Sequence, residues 1–262
     1  MNILPLAAEP IFHLGWLPVT NTMINAWIAV AFFAVLGFVV RTKRAMIPRG
    51  VQNVMEAVAE FFLTTIESVT HDRVRAKKFL PIVGTIFLFI LLSNWMGLIP
   101  GTGSIGVRHG AEFIPLFRPA SSDLNFTLAL AVLSVMGANI FGIAAIGFFK
   151  HLNKFVPFGT VVASFRKGGI NIFTGIVEFF VGLIELVSEV AKIVSLSLRL
   201  FGNVFAGEVL LTVIASLVAF FLPLPFLALE LLVGAIQAMV FALLVLVYLT
   251  VATEPMHAEA HG

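Results

Sequence analysis

Cysteine is absent from this 262-residue chain, tyrosine occurs once, and Asp, Glu, Lys and Arg together make up only 11% of it. Without thiols there is no disulfide framework, no thiolate metal site and no cysteine nucleophile. Water-soluble domains carry about a quarter charged residues, so the scarcity of charge excludes an ordinary soluble domain. A formal net charge of +2 is too small for a nucleic-acid-binding surface. What fills the chain instead is apolar. Residues of the AVILMFWYC set reach 60%, with 27 phenylalanines and a mean hydropathy of +1.06. The length accommodates several bilayer crossings, and the chain reads as an all-α polytopic membrane protein forming a single membrane domain, 1–262.

Basic residues are missing from 1–40, and the 16 present are sorted by position. Arg41, Lys43, Arg44 and Arg49 follow the first apolar run, and Arg73, Arg75, Lys77 and Lys78 precede the second. Lys150, Lys154, Arg166 and Lys167 lie between the third and fourth, whereas only Arg108 and Arg118 lie between the second and third. By the positive-inside rule, 41–78 and 150–169 are cytoplasmic, and the N-terminus and the loop 101–123 are outside. Lys192 and Arg199 lie inside an apolar run and need a separate explanation.

Residues 1–20 hold Pro5, Pro10 and Pro18 and no basic n-region, so they read as a short external segment. Residues 21–40 match the roughly 20 residues of one crossing. In 51–69, Val51, Val54, Met55, Val58, Phe61, Phe62, Ile66 and Val69 recur at helical spacing among Glu56, Glu60 and Glu67. This is an amphipathic helix, lying on the membrane surface or packed on neighbouring protein. The stretches 79–100 and 124–149 form a pair of crossings joined by a Gly- and Pro-rich external loop, with Trp16 and Trp95 near span ends.

Residues 170–221 contain no proline. A helix of that length extends about 78 Å, against about 30 Å of hydrocarbon, so it is read as one oblique helix ended by Pro223 and Pro225. A last helix to residue 250 returns, and 251–262 is a cytoplasmic tail. The total is five crossings plus one surface helix, the last two crossings forming a long tilted hairpin.

Intramembrane charges are costly and mark function. At about 100° per residue, Glu178, Glu185, Glu189, Lys192, Arg199 and Asn203 fall within roughly 80° of arc, while Glu208 lies off this stripe. Glu230, Gln237 and Tyr248 share a face of the last helix. Two facing polar stripes can enclose an aqueous or proton-conducting path. The bland alternative is simple pairing of Glu185 with Glu189 and Lys192, or of Glu208 with Arg199. Buried pairs usually cost as much as they return, which makes pairing a poor reason for so many charges. Arg199 stays protonated; it can act only as a fixed charge.

The stretch Ser195-Leu-Ser-Leu-Arg199-Leu-Phe-Gly-Asn203-Val-Phe-Ala-Gly207-Glu208 resembles the signature segment of subunit a of F-type ATP synthases. Ser93-Asn-Trp-Met-Gly-Leu-Ile-Pro100, Pro119-Ala-Ser-Ser-Asp123-Leu-Asn125-Phe-Thr127, Gln237-Ala-Met-Val-Phe241 and Val247-Tyr248-Leu249 resemble further family segments in the same order. The resemblance spans roughly residues 20–254. It implies a proton-conducting stator subunit with no catalytic chemistry and no cofactor of its own. Such a subunit works against a ring of c subunits beside peripheral-stalk b-type subunits, in lipid, with H⁺ or Na⁺ as the transported ion and no nucleic acid.

By matching motifs, Arg199 would be the fixed arginine between two aqueous half-channels. Glu208, Glu230 and Gln237 would belong to the outer half-channel or the arginine's surroundings, and Asn203 would be a polar neighbour. Glu185, Lys192 and Ser195 would face the inner exit. Some members carry a histidine at the place of Glu208 or Glu230, where this chain has carboxylates at both. The resemblance implies a bacterial inner membrane, with the N-terminus outside and the C-terminus cytoplasmic; the mitochondrial inner membrane is the alternative. A secondary transporter or ion channel with an intramembrane polar site is the competing reading. A transporter predicts repeats and broken helices; none is visible. H-E-x-x-H and phosphate-cradling glycines are absent, which argues against an intramembrane enzyme.

Overall fold

A computed structural model describes residues 8–15, 17–42, 50–99, 106–109, 112–115, 118–155, 170–218 and 221–254. Residues 1–7, Trp16, the connectors 43–49 and 156–169, most of the loop before residue 118, residues 219–220 and the tail from 255 lie outside the described residues.

Among the described residues seven α-helices carry the fold: α1 (Asn21–Thr42), α2 (Val51–Thr70), α3 (Arg73–Leu98), α4 (Leu124–Ile146), α5 (Phe148–Phe155), α6 (Ile170–Leu217) and α7 (Pro223–Thr253). Among the described residues, α1, α3, α4, α6 and α7 are long and apolar enough to cross a membrane. The chain is an all-α polytopic membrane protein. Two short antiparallel ribbons decorate it, β1 (Pro10–Leu14) with β2 (Leu17–Thr20) and β3 (Gly106–His109) with β4 (Glu112–Pro115). Both ribbons fall in the segments read as external coil.

Helix ends shift from the sequence expectations for local reasons. α3 starts at Arg73, six residues early, because the Asp72 side chain accepts from the Val74 and Arg75 backbone amides and caps it. Pro81 is therefore inside the helix, as membrane helices tolerate. α7 starts at Pro223 itself, since a proline lacks only an amide that the first turn leaves unpaired anyway. α4 stops at Gly147, and the expected end of that crossing, Phe148 and Phe149, belongs to the short helix α5.

Lipid tails are as apolar as leucine, so membrane helices associate through close packing of small side chains. The buried positions on α4 are Thr127, Ala131, Ser134, Val135, Ala138 and Gly142, spaced three and four apart. On α7, Gly234, Ala238, Phe241, Ala242, Val245, Leu249 and Ala252 follow the same period. α6 runs antiparallel to α7: Gly207 meets Glu230, Asn203 meets Gln237, and Lys192 meets Tyr248. α2 keeps most of its surface exposed and buries Phe62 and Ile66, with the Phe62 ring 4.8 Å from that of Phe87 on α3. The apolar periodicity of α2 thus divides between protein contact and an open face carrying Val51, Val54 and Phe61.

Candidate functional site

The segment before α4, which makes a 3₁₀ turn at Ala120–Ser122, is tied down by polar groups at the start of α1. Asn25 donates to the Arg118 carbonyl at 2.7 Å and Asn21 to the Pro115 carbonyl at 3.3 Å. Thr22 donates to the Asp123 carboxylate at 3.1 Å. Asp123 also accepts from the Asn125 amide at 2.9 Å, capping α4. Thr127, one turn on, lies 3.2 Å from the Ser197 hydroxyl of α6. The stretch Pro119–Thr127 is therefore a splice joining α1, α4 and α6.

This splice delivers Arg118 into the bundle. Its Nε donates to both carboxylate oxygens of Glu208, at 3.1 and 3.2 Å, with side chains only 3% and 17% exposed. Glu208 thus pairs with a loop arginine ninety residues away, and the pairing with Arg199 weighed from the sequence does not form. Glu230 is buried on α7 beside Gly207. A Cβ at Gly207 would collide with the Glu230 carboxyl group, so glycine is what lets a carboxylate lie against the α6 backbone. Gly207→Ala is expected to lower the thermal stability of the membrane sector by about 1–3 kcal/mol through overpacking. Differential scanning calorimetry of the purified complex checks this.

One turn deeper, the Asn203 amide donates to Gln237 at 2.5 Å. Asn94 on α3 donates to the Gly234 carbonyl at 3.3 Å, and the Trp95 indole donates to the Leu231 carbonyl at 3.1 Å. Ser93 Oγ, Asn94 Oδ1, Ser121 Oγ and Gln237 Nε2 are buried without a hydrogen-bond partner among the described residues. Buried polar atoms are ordinarily satisfied by protein or water, so this is a polar region inside an otherwise apolar bundle.

Arg199 sits apart from both pairs. Its side chain is exposed, with one hydrogen bond of 3.3 Å to Ser195 Oγ one turn earlier. Around it the open face of α6 is mostly small or apolar (Ala191, Val194, Leu198, Gly202, Ala206 and Leu210), with Ser195 and Asn203 as its polar members one turn to either side.

Toward the other end of α6 a second polar group forms. Lys192 Nζ donates to Glu189 at 2.6 Å and lies 5.3 Å from the centre of the Tyr248 ring. Glu189 also accepts from Asn139 of α4 at 3.0 Å, and Asn139 is 2.9 Å from Nε2 of His151 on α5. Glu185 lies one turn further along α6, half-buried. Two polar clusters therefore flank Arg199, their carboxylates Glu208 and Glu189 lying nine and ten residues along α6 from it, which is about 14–15 Å of helix.

Of the residues singled out from sequence, Asn203 joins Gln237, Glu230 lies against Gly207, the residue before Glu208, and Ser195 joins Arg199. Lys192 pairs with Glu189, as the simple-pairing alternative had it. Sequence reasoning passed over Arg118, Asn139 and His151. Arg118 figures there only as a loop charge, and His151 not at all. A signal existed for Asn139, an amide in the middle of an otherwise apolar run.

The fold and site define a polytopic helical membrane protein with polar clusters on either side of an exposed arginine. Residues 23–250 match the family described as ATP synthase A chain. Among curated relatives, ATP synthase subunit a of Moorella thermoacetica is 34% identical over 239 residues, 91% of this chain and 93% of its own. The Mycobacterium bovis subunit a is 35% identical over 253 residues, covering 95% and 92%. That of Campylobacter concisus is 33% identical over 215 residues, covering 82% of each. The chain belongs to the ATP synthase A chain family.

Proposed function

We propose that the chain is the non-catalytic, proton-conducting stator subunit of a rotary ATP synthase, passing ions to and from a ring of c subunits through two half-channels that Arg199 separates. The carrying observation is the exposure of Arg199 on an apolar face of α6. An arginine facing lipid near mid-span costs several kcal/mol, and it cannot shed its charge. A face built this way is made for a protein partner that presents an anion, and a ring of mid-membrane carboxylates is such a partner. The cluster of Arg118, Glu208, Glu230, Asn203 and Gln237, with its unpartnered buried polar atoms, suits the outer half-channel. Glu185, Glu189 and Lys192, beyond Ser195 in the other direction, suit the inner one. The unbroken α6 runs against a transporter built on interrupted helices.

In this reading α6, at 48 residues, crosses obliquely, because about 72 Å of helix exceeds the bilayer core. The N-terminus is outside and the C-terminus cytoplasmic, by the distribution of Lys and Arg. α2 lies at the cytoplasmic surface, a b-type peripheral-stalk subunit is a further neighbour, and the membrane is the bacterial plasma membrane, as in the bacterial relatives. H⁺ is the ion favoured, with Na⁺ decided by the ring.

The test uses the absence of cysteine. Leu198→Cys or Ala206→Cys is expected to form a disulfide, on mild oxidation, with a cysteine placed near the carboxylate of a ring subunit. Val35→Cys on the exposed face of α1 is expected to form none. Equal yields at both places, or none at α6, would remove the ring from this face.

A further inference from the structure

Beside Glu208 the fold buries a second arginine, and nothing in the scheme of two half-channels and one fixed arginine asks for it. The backbone at Arg118 is held from two sides. Its carbonyl accepts from Asn25 of α1, and the next residue, Pro119, seats its ring on Gly97 of α3, where a Cβ would collide with it. A proline ring is locked to its own backbone, so this contact fixes the chain as well as the side chain. From there Nε of the buried Arg118 faces both oxygens of Glu208. Further oxygens converge on the same carboxylate. The Ser122 hydroxyl lies within hydrogen-bonding reach of it, and the charge of Glu9 acts on it. Glu9 is held at the head of α1, its carbonyl accepting from the Asn21 amide at 3.2 Å. Ser121, in the same 3₁₀ turn, is fully buried, and its Oγ has no hydrogen-bond partner among the described residues.

Carboxylate and hydroxyl oxygens are the ligands of a hard cation. Among the described residues, no group of three acidic or histidine side chains that could hold a metal ion forms; here the chain supplies the cation itself. A guanidinium keeps its charge under all relevant conditions, and with one N–H against both oxygens of Glu208 a diffusing metal ion finds the place taken. A proton is not hindered in the same way. It settles on a single oxygen and leaves a neutral group, whereas Na⁺ keeps its charge and needs several oxygens at once.

We propose that Arg118 is a tethered cation filling what would otherwise be a sodium site in the outer ion path, so that it is a specificity-determining residue admitting H⁺ and rejecting Na⁺. Glu208 is the principal ligand of that site, with Glu9 and Ser122 beside it, and Gly97 is the positioning residue that seats the loop. The selection of ions rests on the proton-conducting reading proposed above; the site itself does not.

The experiment is thermal unfolding of the whole complex in NaCl and in choline chloride at equal ionic strength, which holds screening constant. A cation bound only by the folded state raises stability. Arg118→Ala is therefore expected to unfold several degrees higher in tens of millimolar NaCl than in choline chloride, while the parent unfolds at the same temperature in both. Arg118→Lys, which keeps a tethered charge, and Arg118→Ala/Glu208→Gln, which lacks the principal ligand, are expected to be as indifferent as the parent. With the same salts on both sides of vesicles, ATP-driven proton pumping by Arg118→Ala is expected to be several-fold slower in NaCl than in choline chloride, and that of the parent equal. If Arg118→Ala assembles poorly, Arg118→Gln carries the same expectations. Equal unfolding temperatures in the two salts overturn the sodium site, the stranded carboxylate having simply taken a proton. A sodium-dependent unfolding temperature with sodium-indifferent pumping overturns the role in ion selection. Arg199→Ala in the same vesicles separates the two ideas: if it pumps as the parent does, the proton-conducting reading itself has failed, whatever the unfolding temperatures show.

Discussion

Arg199→Ala is expected to abolish ion-driven ATP synthesis while the complex assembles in parental amounts. The side chain is exposed on α6 and makes one 3.3 Å hydrogen bond, to Ser195. Truncating it opens no cavity, so the usual source of large destabilisation is missing. What disappears is a charge that no pH removes. A carboxylate about 4 Å from a guanidinium gains about 4 kcal/mol at an effective dielectric constant near 20. At about 1.4 kcal/mol per tenfold, losing that preference for the ionised carboxylate amounts to nearly three powers of ten. The measurement is ATP synthesis in energised vesicles normalised to the content of subunit a. Synthesis within a few-fold of the parent would end the fixed-arginine reading.

The second large effect concerns a residue that looks unremarkable in the sequence. Arg118→Ala is expected to destabilise the membrane sector by about 3–5 kcal/mol, the usual consequence of stranding one partner of a buried ion pair. The Arg118 side chain is 3% exposed and Glu208 17%, with both carboxylate oxygens held by one nitrogen. The double variant Arg118→Ala/Glu208→Gln is expected to regain most of that stability, since no unpaired carboxylate is left. A thermal-unfolding cycle over the four proteins measures the coupling. Additive losses would mean that the pair contributes only packing. In the proton-conducting reading both variants also slow ion entry from the outer side, since Glu208 is a group through which ions would reach the ring.

Much of this organisation is legible along the chain because a bilayer is an unforgiving solvent. Five runs long enough to span had to be helical, since no other backbone satisfies its hydrogen bonds within a single segment in lipid. The 80° stripe on α6 followed from helical geometry once that segment was continuous, and Arg199, Asn203 and Gln237 were visible as polar residues in apolar surroundings. Boundaries were less legible. The sequence reading stopped the third crossing at Phe149, whereas Gly147 ends α4 and the next residues form a separate helix. It began the second crossing after the basic cluster that Asp72 in fact caps into the helix.

Pairings were the part that could not be read. Glu208 falls off the α6 stripe, which from one helix alone suggested no role with the others. Its partner comes from a loop that Asn21, Thr22 and Asn25 hold in place from another helix. His151 looked like a connector residue until the turn at Gly147 and the notch at Gly142 returned it to the bundle. Composition, helical periodicity and the cost of charge in lipid determined that this is a polytopic membrane protein with a polar seam around Arg199, because each is a property of one segment in its solvent. Which carboxylate meets which cation depends on how helices far apart in sequence dock, and only the tertiary structure decided that.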